Sequence, residues 1–245
     1  MNDDKMLQKR MNELSLRAYE KGYNTYSDFL NLKEISELKK SDAFSNCELY
    51  GGYDNADRCV AGFGYEHDKS DYPIKCIKIA PVRQKFADEL NHRDFLGSLM
   101  NLGINRSTLG DIVISNNTAY LFCLSNIAQY ICENCDRIKH TTVKCEILDS
   151  TPEVANKKPE GEELIISSQR VDAVICAVFK LSRNQATQLV NQERVFINSK
   201  AAYKESLILK SGDIVSVRGF GKFVFGEKVK ETKKGRSVFE IGIYK

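Results

Sequence analysis

The sequence predicts an α+β protein in three parts, and three observations carry that reading. Hydrophobic residues make up 42% and charged residues 28% of the 245 positions, ordinary globular proportions that exclude a disordered or collagen-like chain. The apolar period changes along the chain: helical spacing in the first 45 residues, alternating strand and helix periods from about 58 to 149, then two short helices followed by strands. The charge is also lopsided. Residues 165–245 carry 15 Lys/Arg against 7 Asp/Glu, whereas residues 1–164 carry 21 against 26. A basic C-terminal module on a mildly acidic body is the footprint of polyanion binding, nucleic acid above all.

Several classes drop out at once. No run of about 18 apolar residues exists, so no membrane partner is expected. The start, Met1-Asn2-Asp3-Asp4-Lys5, leads into a charged amphipathic segment rather than an apolar signal core, which argues against export and for a cytoplasmic protein. Eight cysteines (Cys47, Cys59, Cys76, Cys123, Cys132, Cys135, Cys145 and Cys176) are scattered through apolar segments. In such a chain they read as reduced and mostly buried, not as a disulfide framework.

In order, the first 45 residues form a helical N-terminal segment: Leu7, Met11, Leu14 and Ala18 share one face, Lys21-Gly22 ends the run, and a second helical piece follows near Phe29–Leu38. Glu48–Asp57, rich in Gly, Tyr and Asp, reads as a loop. The central domain, 46–150, then runs through strands at Arg58–Phe63 and Ile74–Ile79 and a helix at His92–Leu102. Strands at Asp111–Ser115 and Ala119–Cys123 flank the hairpin signal Asn116-Asn117, and a helix at Asn126–Cys135 and a strand at Val143–Ile147 close the domain. Strand–helix–strand–strand–helix–strand is the order of a ferredoxin-like, split βαβ sandwich. Residues 151–164 read as a linker, because Thr151–Glu163 holds Pro152, Pro159, Gly161 and six charged residues.

The last part, 165–245, is the most legible. Val171, Val174, Ile175, Val178 and Phe179 follow the spacing of an amphipathic helix. Ser182-Arg183-Asn184-Gln185 is a capping box that opens a second helix burying Ala186, Leu189 and Val190. Strands follow at Val195–Asn198 and Ile214–Arg218, the latter after the turn Lys210-Ser211-Gly212-Asp213. Arg170 and Arg183 stand in the first turns of the two helices, where a cation opposes the helix dipole. The same spot welcomes an anion, so a phosphate docked between guanidinium and helix N-terminus accounts for both. For Arg170 the competing account is an ion pair with Asp172 or Asp213; for Arg183 nothing acidic is close in sequence.

Arg170-Val171-Asp172, Leu181-Ser182-Arg183-Asn184-Gln185-Ala186 with Leu189-Val190, and Val195-Phe196-Ile197-Asn198 together resemble the S-four (αL) RNA-binding domain. One departure is visible: Gln192-Glu193-Arg194 stands where that family places Gly in the turn before the first strand, so a different turn is expected. Arg218-Gly219-Phe220-Gly221 imitates the start of an RNP1 motif, but Lys222 occupies an aromatic position and no complete RRM fits around it. A basic, glycine-spaced hairpin that lets backbone approach RNA is the better account. Thr232-Lys233-Lys234-Gly235-Arg236 adds a basic turn, for phosphate or simply solvated.

Arg218–Phe223 with Lys233–Arg236, His92-Arg93-Asp94-Phe95-Leu96-Gly97 with Leu102-Gly103-Ile104, Arg106 and Gly110-Asp111-Ile112, and Gly51-Gly52-Tyr53 with Ala56-Asp57-Arg58 resemble the YlmH family of bacterial S-four proteins. The likeness is strongest over 92–112 and 167–236. It implies a non-catalytic factor of ribosome-associated quality control. Such a factor would bind rRNA and tRNA on a large ribosomal subunit carrying an obstructed peptidyl-tRNA. The candidate RNA contacts are Arg170, Arg183, Arg194, Lys200, Arg218, Lys222, Lys233, Lys234 and Arg236, with Arg93 and Arg106 in the central domain.

Enzymatic readings fare less well. His92 and Asp94 stand two apart on a helix and face different ways, so a polar cluster at the helix start, or an Arg93 contact to RNA, is the better account. Cys132-Glu133-Asn134-Cys135, with His140 and Cys145 downstream, has zinc-like spacing. Yet Ile127, Ala128, Ile131, Cys132 and Cys135 share one helical face, which reads as core. No metal, cofactor or catalytic residue is expected, and Asp54, Asp57, Asp68 and Asp71 read as a solvated acidic loop. The competing function is an rRNA-modifying or RNA-processing enzyme with the S-four domain as its tether. Against it stands the lack of a G-R-L-D-x-x-T catalytic loop or a Gly-rich nucleotide-binding turn. Charge reversal of Arg170 and Arg183 together is expected to abolish RNA binding and leave the fold intact.

Overall fold

The computed structural model describes residues 2–65, 68–232 and 235–244, leaving aside the side chains of residues 2 and 3. The chain divides into two compact units, Met1–Asn156 and Lys157–Lys245.

The first unit opens with α1 (Asn2–Lys21), β1 (Thr25–Leu30) and α2 (Leu32–Leu38), followed by β2 (Cys47–Tyr50) and β3 (Cys59–Phe63). The strands form a three-stranded sheet in the order β1-β3-β2. The N-terminal segment is therefore not wholly helical. Thr25, Tyr26 and Phe29 are strong strand formers, and they pair with β3 across a register shift at Ser27-Asp28. There the buried Ser27 hydroxyl takes the Ala61 N–H at 2.9 Å and donates to the Asp28 carbonyl. Met11 and Ala18 of α1 and Ile35 and Leu38 of α2 bury against Ala61 and Phe63. The expected loop at 48–57 also yields to β2 over its first residues, and β3 joins this small sheet rather than the central one.

The central sheet contains β4 (Ile74–Pro81), β5 (Leu109–Ser115), β6 (Thr118–Leu124), β7 (Arg137–Ile138) and β8 (Thr141–Leu148), with α3 (His92–Asn101) and α4 (Ser125–Asn134) on one face. Its order, β5-β6-β4-β8-β7, is antiparallel throughout. Apart from the two-residue β7, this is the split βαβ order. Asn116 and Asn117 both take positive φ, 49° and 59°, the two-residue turn that joins β5 to β6. Phe95 and Leu99 of α3 and Ala128 and Ile131 of α4 bury on Ile77, Ile79, Leu121 and Cys123. Each fully buried large side chain contributes about 1.5–3 kcal/mol of transfer free energy.

The second unit comprises β9 (Glu160–Ile166), α5 (Val171–Phe179), α6 (Arg183–Asn191), β10 (Val195–Ile197), β11 (Lys200–Ala201), β12 (Ile214–Val217), β13 (Gly221–Glu231) and β14 (Ser237–Tyr244). Its six-stranded sheet has the order β11-β10-β12-β13-β14-β9. Much of the expected linker is thus an edge strand. β9 pairs with β14 along seven residues, from Glu160 opposite Ile243 to Ile166 opposite Ser237. Its charged residues face water while Ile166 is buried. Before it, a helical turn at Glu153–Asn156 packs Ala155 in the first unit. Val171, Val174 and Ile175 of α5 and Ala186, Leu189 and Val190 of α6 bury on Val215, Val217, Phe223 and Phe225.

Candidate nucleic-acid interface

Both helices of the second unit begin where the sequence signals them. Ser182 accepts the Gln185 N–H and the Gln185 side chain accepts the Ser182 N–H, the capping box that opens α6. Lys180, in the left-handed conformation at φ 53°, ends α5 and turns the chain directly into α6. That tight turn brings both helix starts to one carboxylate. Arg170 donates through Nε and Nη2 to Asp172 Oδ1 and Oδ2 at 3.0 and 3.1 Å, and Arg183 Nε donates to Oδ2 at 3.2 Å. The Asp172 side chain is 2% exposed, whereas those of Arg170 and Arg183 are 35% and 59% exposed.

Asp172 is the hub of this arrangement. Burial pushes its carboxyl up, but the bonds from Arg170 and Arg183 and the Ala173 N–H outweigh burial and hold it below the usual range. The same bond raises Arg170 above its ordinary value. Two cations on one anion leave a net positive charge at adjacent helix N-termini, the electrostatics a phosphate requires. For Arg170 the ion pair with Asp172 is real. For Arg183 the statement that no acid is near holds only along the chain, because Asp172 lies eleven residues away but in contact. The double charge reversal therefore cannot be expected to spare the fold: it would set two carboxylates against a buried third.

A second basic group lies where β10 and β12 meet. The Arg218 N–H donates to the Arg194 carbonyl at 2.9 Å, and Arg194 Nη2 donates back to the Arg218 carbonyl at 2.7 Å. Arg194 sits over the Phe220 ring at 5.9 Å and Arg218 over Phe196 at 5.2 Å. A Cβ on Gly219, at φ 84°, would fall 2.7 Å from Arg194 Nη2, so the turn keeps room for that guanidinium. Phe220 is 43% exposed and packs on Phe179 at 5.8 Å. Phe179 lies two turns of α5 beyond Asp172, roughly 10 Å along the helix. The resemblance to an RNP1 motif ends here, since Arg218–Phe220 form the turn between β12 and β13.

The other candidates are less concentrated. Lys222 lies over Tyr244 at 5.6 Å. Lys200 is exposed in β11, and Arg236 is exposed at the β13–β14 turn, which is closed by the Thr232 N–H on the Arg236 carbonyl at 2.8 Å. Lys233 and Lys234 lie outside the described residues. The turn before β10 keeps its left-handed geometry despite the missing glycine, for Glu193 takes φ 54°; the different turn expected there is not found. Asn198, also at positive φ, forms the β10–β11 turn with Ser199 and bonds Asp213 and the Ile214 N–H.

In the first unit, Arg93 is exposed in the first turn of α3, while Arg106 serves the protein's own backbone. Its Nη1 donates to the Leu109 carbonyl at 2.6 Å and to that of Gly110 at 3.3 Å. Arg106 thus buttresses β5. Arg58 joins it, donating to the carbonyls of Leu109, Phe29 and Arg106. Beside them Asp111 Oδ2 accepts from the Tyr53 hydroxyl at 2.9 Å and from the Asp57 N–H at 2.7 Å. Burial and this carboxylate push the Tyr53 hydroxyl well above its usual value. Three motifs far apart in sequence thus form one structural clamp.

Asp94 closes the α3 capping box on Asn91 and pairs with Lys139 at 2.7 Å, so it does not orient His92. Burial, and then the Arg106 cation, hold His92 below its usual value. Cys135 is buried in the central core and accepts, through its carbonyl, the Cys145 thiol at 3.2 Å. Among the described residues, no three His, Cys, Asp or Glu side chains cluster as metal ligands, and no helix is long and apolar enough to cross a membrane.

The second unit agrees with comparison to known families: the S4 domain model matches residues 169–215. The model described as "Putative RNA-binding domain in YlmH" matches residues 67–152. Fold and families together define an S4-domain RNA-binding protein. A curated relative, "Ribosome-associated protein quality control protein P2" of Bacillus subtilis (strain 168), is 29% identical over 219 residues, 86% of this chain and 83% of its own. The cell division protein ylmH from Streptococcus pneumoniae is a solved structure similar at TM-score 0.49 and 18% identity, covering 60% of this chain and 91% of its own. Over its central part the chain is thus similar to the RNA-binding domain of YlmH, and over 169–215 to the S4 domain.

Proposed function

We propose that this protein is a non-catalytic RNA-binding factor of ribosome-associated quality control. It would bind rRNA and tRNA on a large ribosomal subunit that carries an obstructed peptidyl-tRNA, in the cytoplasm. The observation that carries the reading is the Arg170–Asp172–Arg183 group, in which a buried carboxylate holds two arginines at neighbouring helix N-termini with Arg183 still 59% exposed. Such a group is preorganised for phosphate, since the guanidinium orientation is set before RNA arrives. Arg194 and Arg218, each set against an aromatic ring, and the exposed Lys200 and Arg236 would extend the contact. The name of the Bacillus subtilis relative supports the ribosomal setting.

The test is co-sedimentation of the full chain with separated ribosomal subunits, with and without peptidyl-tRNA, across a salt series. Salt-sensitive binding to the large subunit, strengthened by peptidyl-tRNA and weakened in Arg183→Gln, is expected. Binding to naked rRNA alone would overturn the quality-control reading and favour an RNA-modifying one.

A further inference from the structure

The central sheet has two faces, and only one is fully covered. α3 and α4 close the first. On the second, Cys76, Phe122 and Leu124 pack under Phe29, Val60 and Tyr72, so one half is filled by the protein itself. The other half is less covered: Val113 and Tyr120 pack in part against that cluster, while Lys144 and Glu146 are exposed. Across it, Val113, Tyr120, Lys78 and Glu146 stand opposite one another on β5, β6, β4 and β8, and Ala80 stands opposite Lys144 one row further on. Four strands at roughly 4.8 Å spacing make this strip about 14 Å wide.

The segment that follows β4 borders the strip. Val82 lines a shallow groove with Lys78, Ala80 and Lys144. Val82 and Phe86 are 59% and 77% exposed, with Arg83 and Lys85 exposed between them. This segment is tied down on both sides. The Val82 N–H donates to the Thr142 carbonyl at 3.0 Å, Gln84 donates to the Asn116 carbonyl at 2.8 Å, and Asp88 Oδ2 accepts from the His140 N–H and the Thr141 hydroxyl. Large apolar side chains shown to water on an anchored segment, with cations between them, are a surface built for a partner.

Resting on the RNA-binding reading above, we propose that this less covered half-sheet is a second RNA-contact surface, one that takes a few unpaired nucleotides. Four cations, Lys78, Lys144, Arg83 and Lys85, outnumber the carboxylates Glu146, Asp88 and Glu89 around it, which complements a phosphate backbone. Phe86 offers an exposed ring on which a base stacks, and bases are free to stack on protein only where the RNA is single-stranded. The strip has room for two or three nucleotides, not for a duplex.

The test measures affinities of the full chain for a fluorescein-labelled ten-residue oligouridylate and for a labelled RNA stem–loop, by anisotropy across a salt series. Phe86→Ala, and Lys78→Ala with Lys144→Ala, should each weaken oligouridylate binding about tenfold. The double lysine variant should also flatten the logarithmic salt slope by about 1.4, roughly 0.7 per lost phosphate contact on a single strand. Arg183→Gln should weaken stem–loop binding more than oligouridylate binding. Phe86→Ala, on an exposed segment, reports even if the lysine pair disturbs the sheet. Oligouridylate binding unchanged in Phe86→Ala and in the lysine variant overturns the assignment while leaving the S4 reading standing, which fails instead if Arg183→Gln leaves stem–loop binding intact. Unchanged oligouridylate affinity with loss of ribosome co-sedimentation would mark the face as a protein-docking surface, and also overturns it.

Discussion

Asp172→Asn isolates the carboxylate that organises the candidate interface. The substitution keeps the side chain's size and one oxygen, so the Ala173 N–H, at 2.9 Å in the native protein, keeps an acceptor. It removes the charge and one of the two oxygens that receive Arg170 and Arg183. A hydrogen bond to a charged group is worth about 1.5–3 kcal/mol when buried. The exposure of both arginines reduces that figure, so a net loss of about 2 kcal/mol is expected. For a unit of this size that lowers the midpoint of thermal unfolding by about 10 °C. The assay is calorimetry of the full chain, following the transition of the second unit at pH 7 and at lower pH. Asp172 is held below its unfolded value, so its contribution is complete above the ordinary aspartate pKa of about 3.9 and fades as pH falls below it. The difference between native and variant should therefore shrink in acid. A shift under about 2 °C at pH 7, or a difference that grows in acid, would refute the carboxylate as the hub. Arg183→Gln leaves the bidentate Arg170 pair in place and should cost no more than about 1 kcal/mol, so its loss of RNA affinity can be read without unfolding.

Three further outcomes follow from local geometry. Glu193→Gly relieves a left-handed residue before β10 and should stabilise the second unit by about 0.5–1 kcal/mol in urea unfolding. Gly52→Ala would place a Cβ 2.4 Å from the Phe122 ring at φ 95°, and should cost more than about 2 kcal/mol by the same measurement. Asp111→Ala strips the acceptor from the Tyr53 hydroxyl and the Asp57 N–H, for a loss of about 2–4 kcal/mol; its spectrophotometric titration should show Tyr53 ionising closer to the ordinary tyrosine value.

The elements set by local pattern were legible. The Asn116-Asn117 turn, the Ser182 capping box and the faces of α5 and α6 depend on residues a few positions apart, and the sequence displays them directly. β1 and β9 were not. Thr25–Leu30 is a strand because Cys59–Phe63 lies beside it, and Glu160–Ile166 is a strand because β14 offers an unpaired edge. Charged, glycine-containing composition marks a linker only where no such edge is available. The less covered half-sheet with its anchored Phe86 also went unread, because period alone does not say which face a neighbouring segment covers.

The same division holds for the interface. Charge asymmetry and helix starts by themselves pointed to polyanion binding by the C-terminal unit, and the motif around Arg170, Asp172, Arg183 and Asn198 carried its resemblance to the S4 domain, since those signals are local and survive any arrangement of the rest. Tertiary structure alone decided which cations are presented. Arg183 shares Asp172 because the left-handed Lys180 folds α6 back onto the start of α5. Arg106 is turned to the protein's own backbone because β5 places two carbonyls within its reach. A guanidinium takes whichever acceptors packing brings to it, and that choice is made across distances along the chain that no periodicity records.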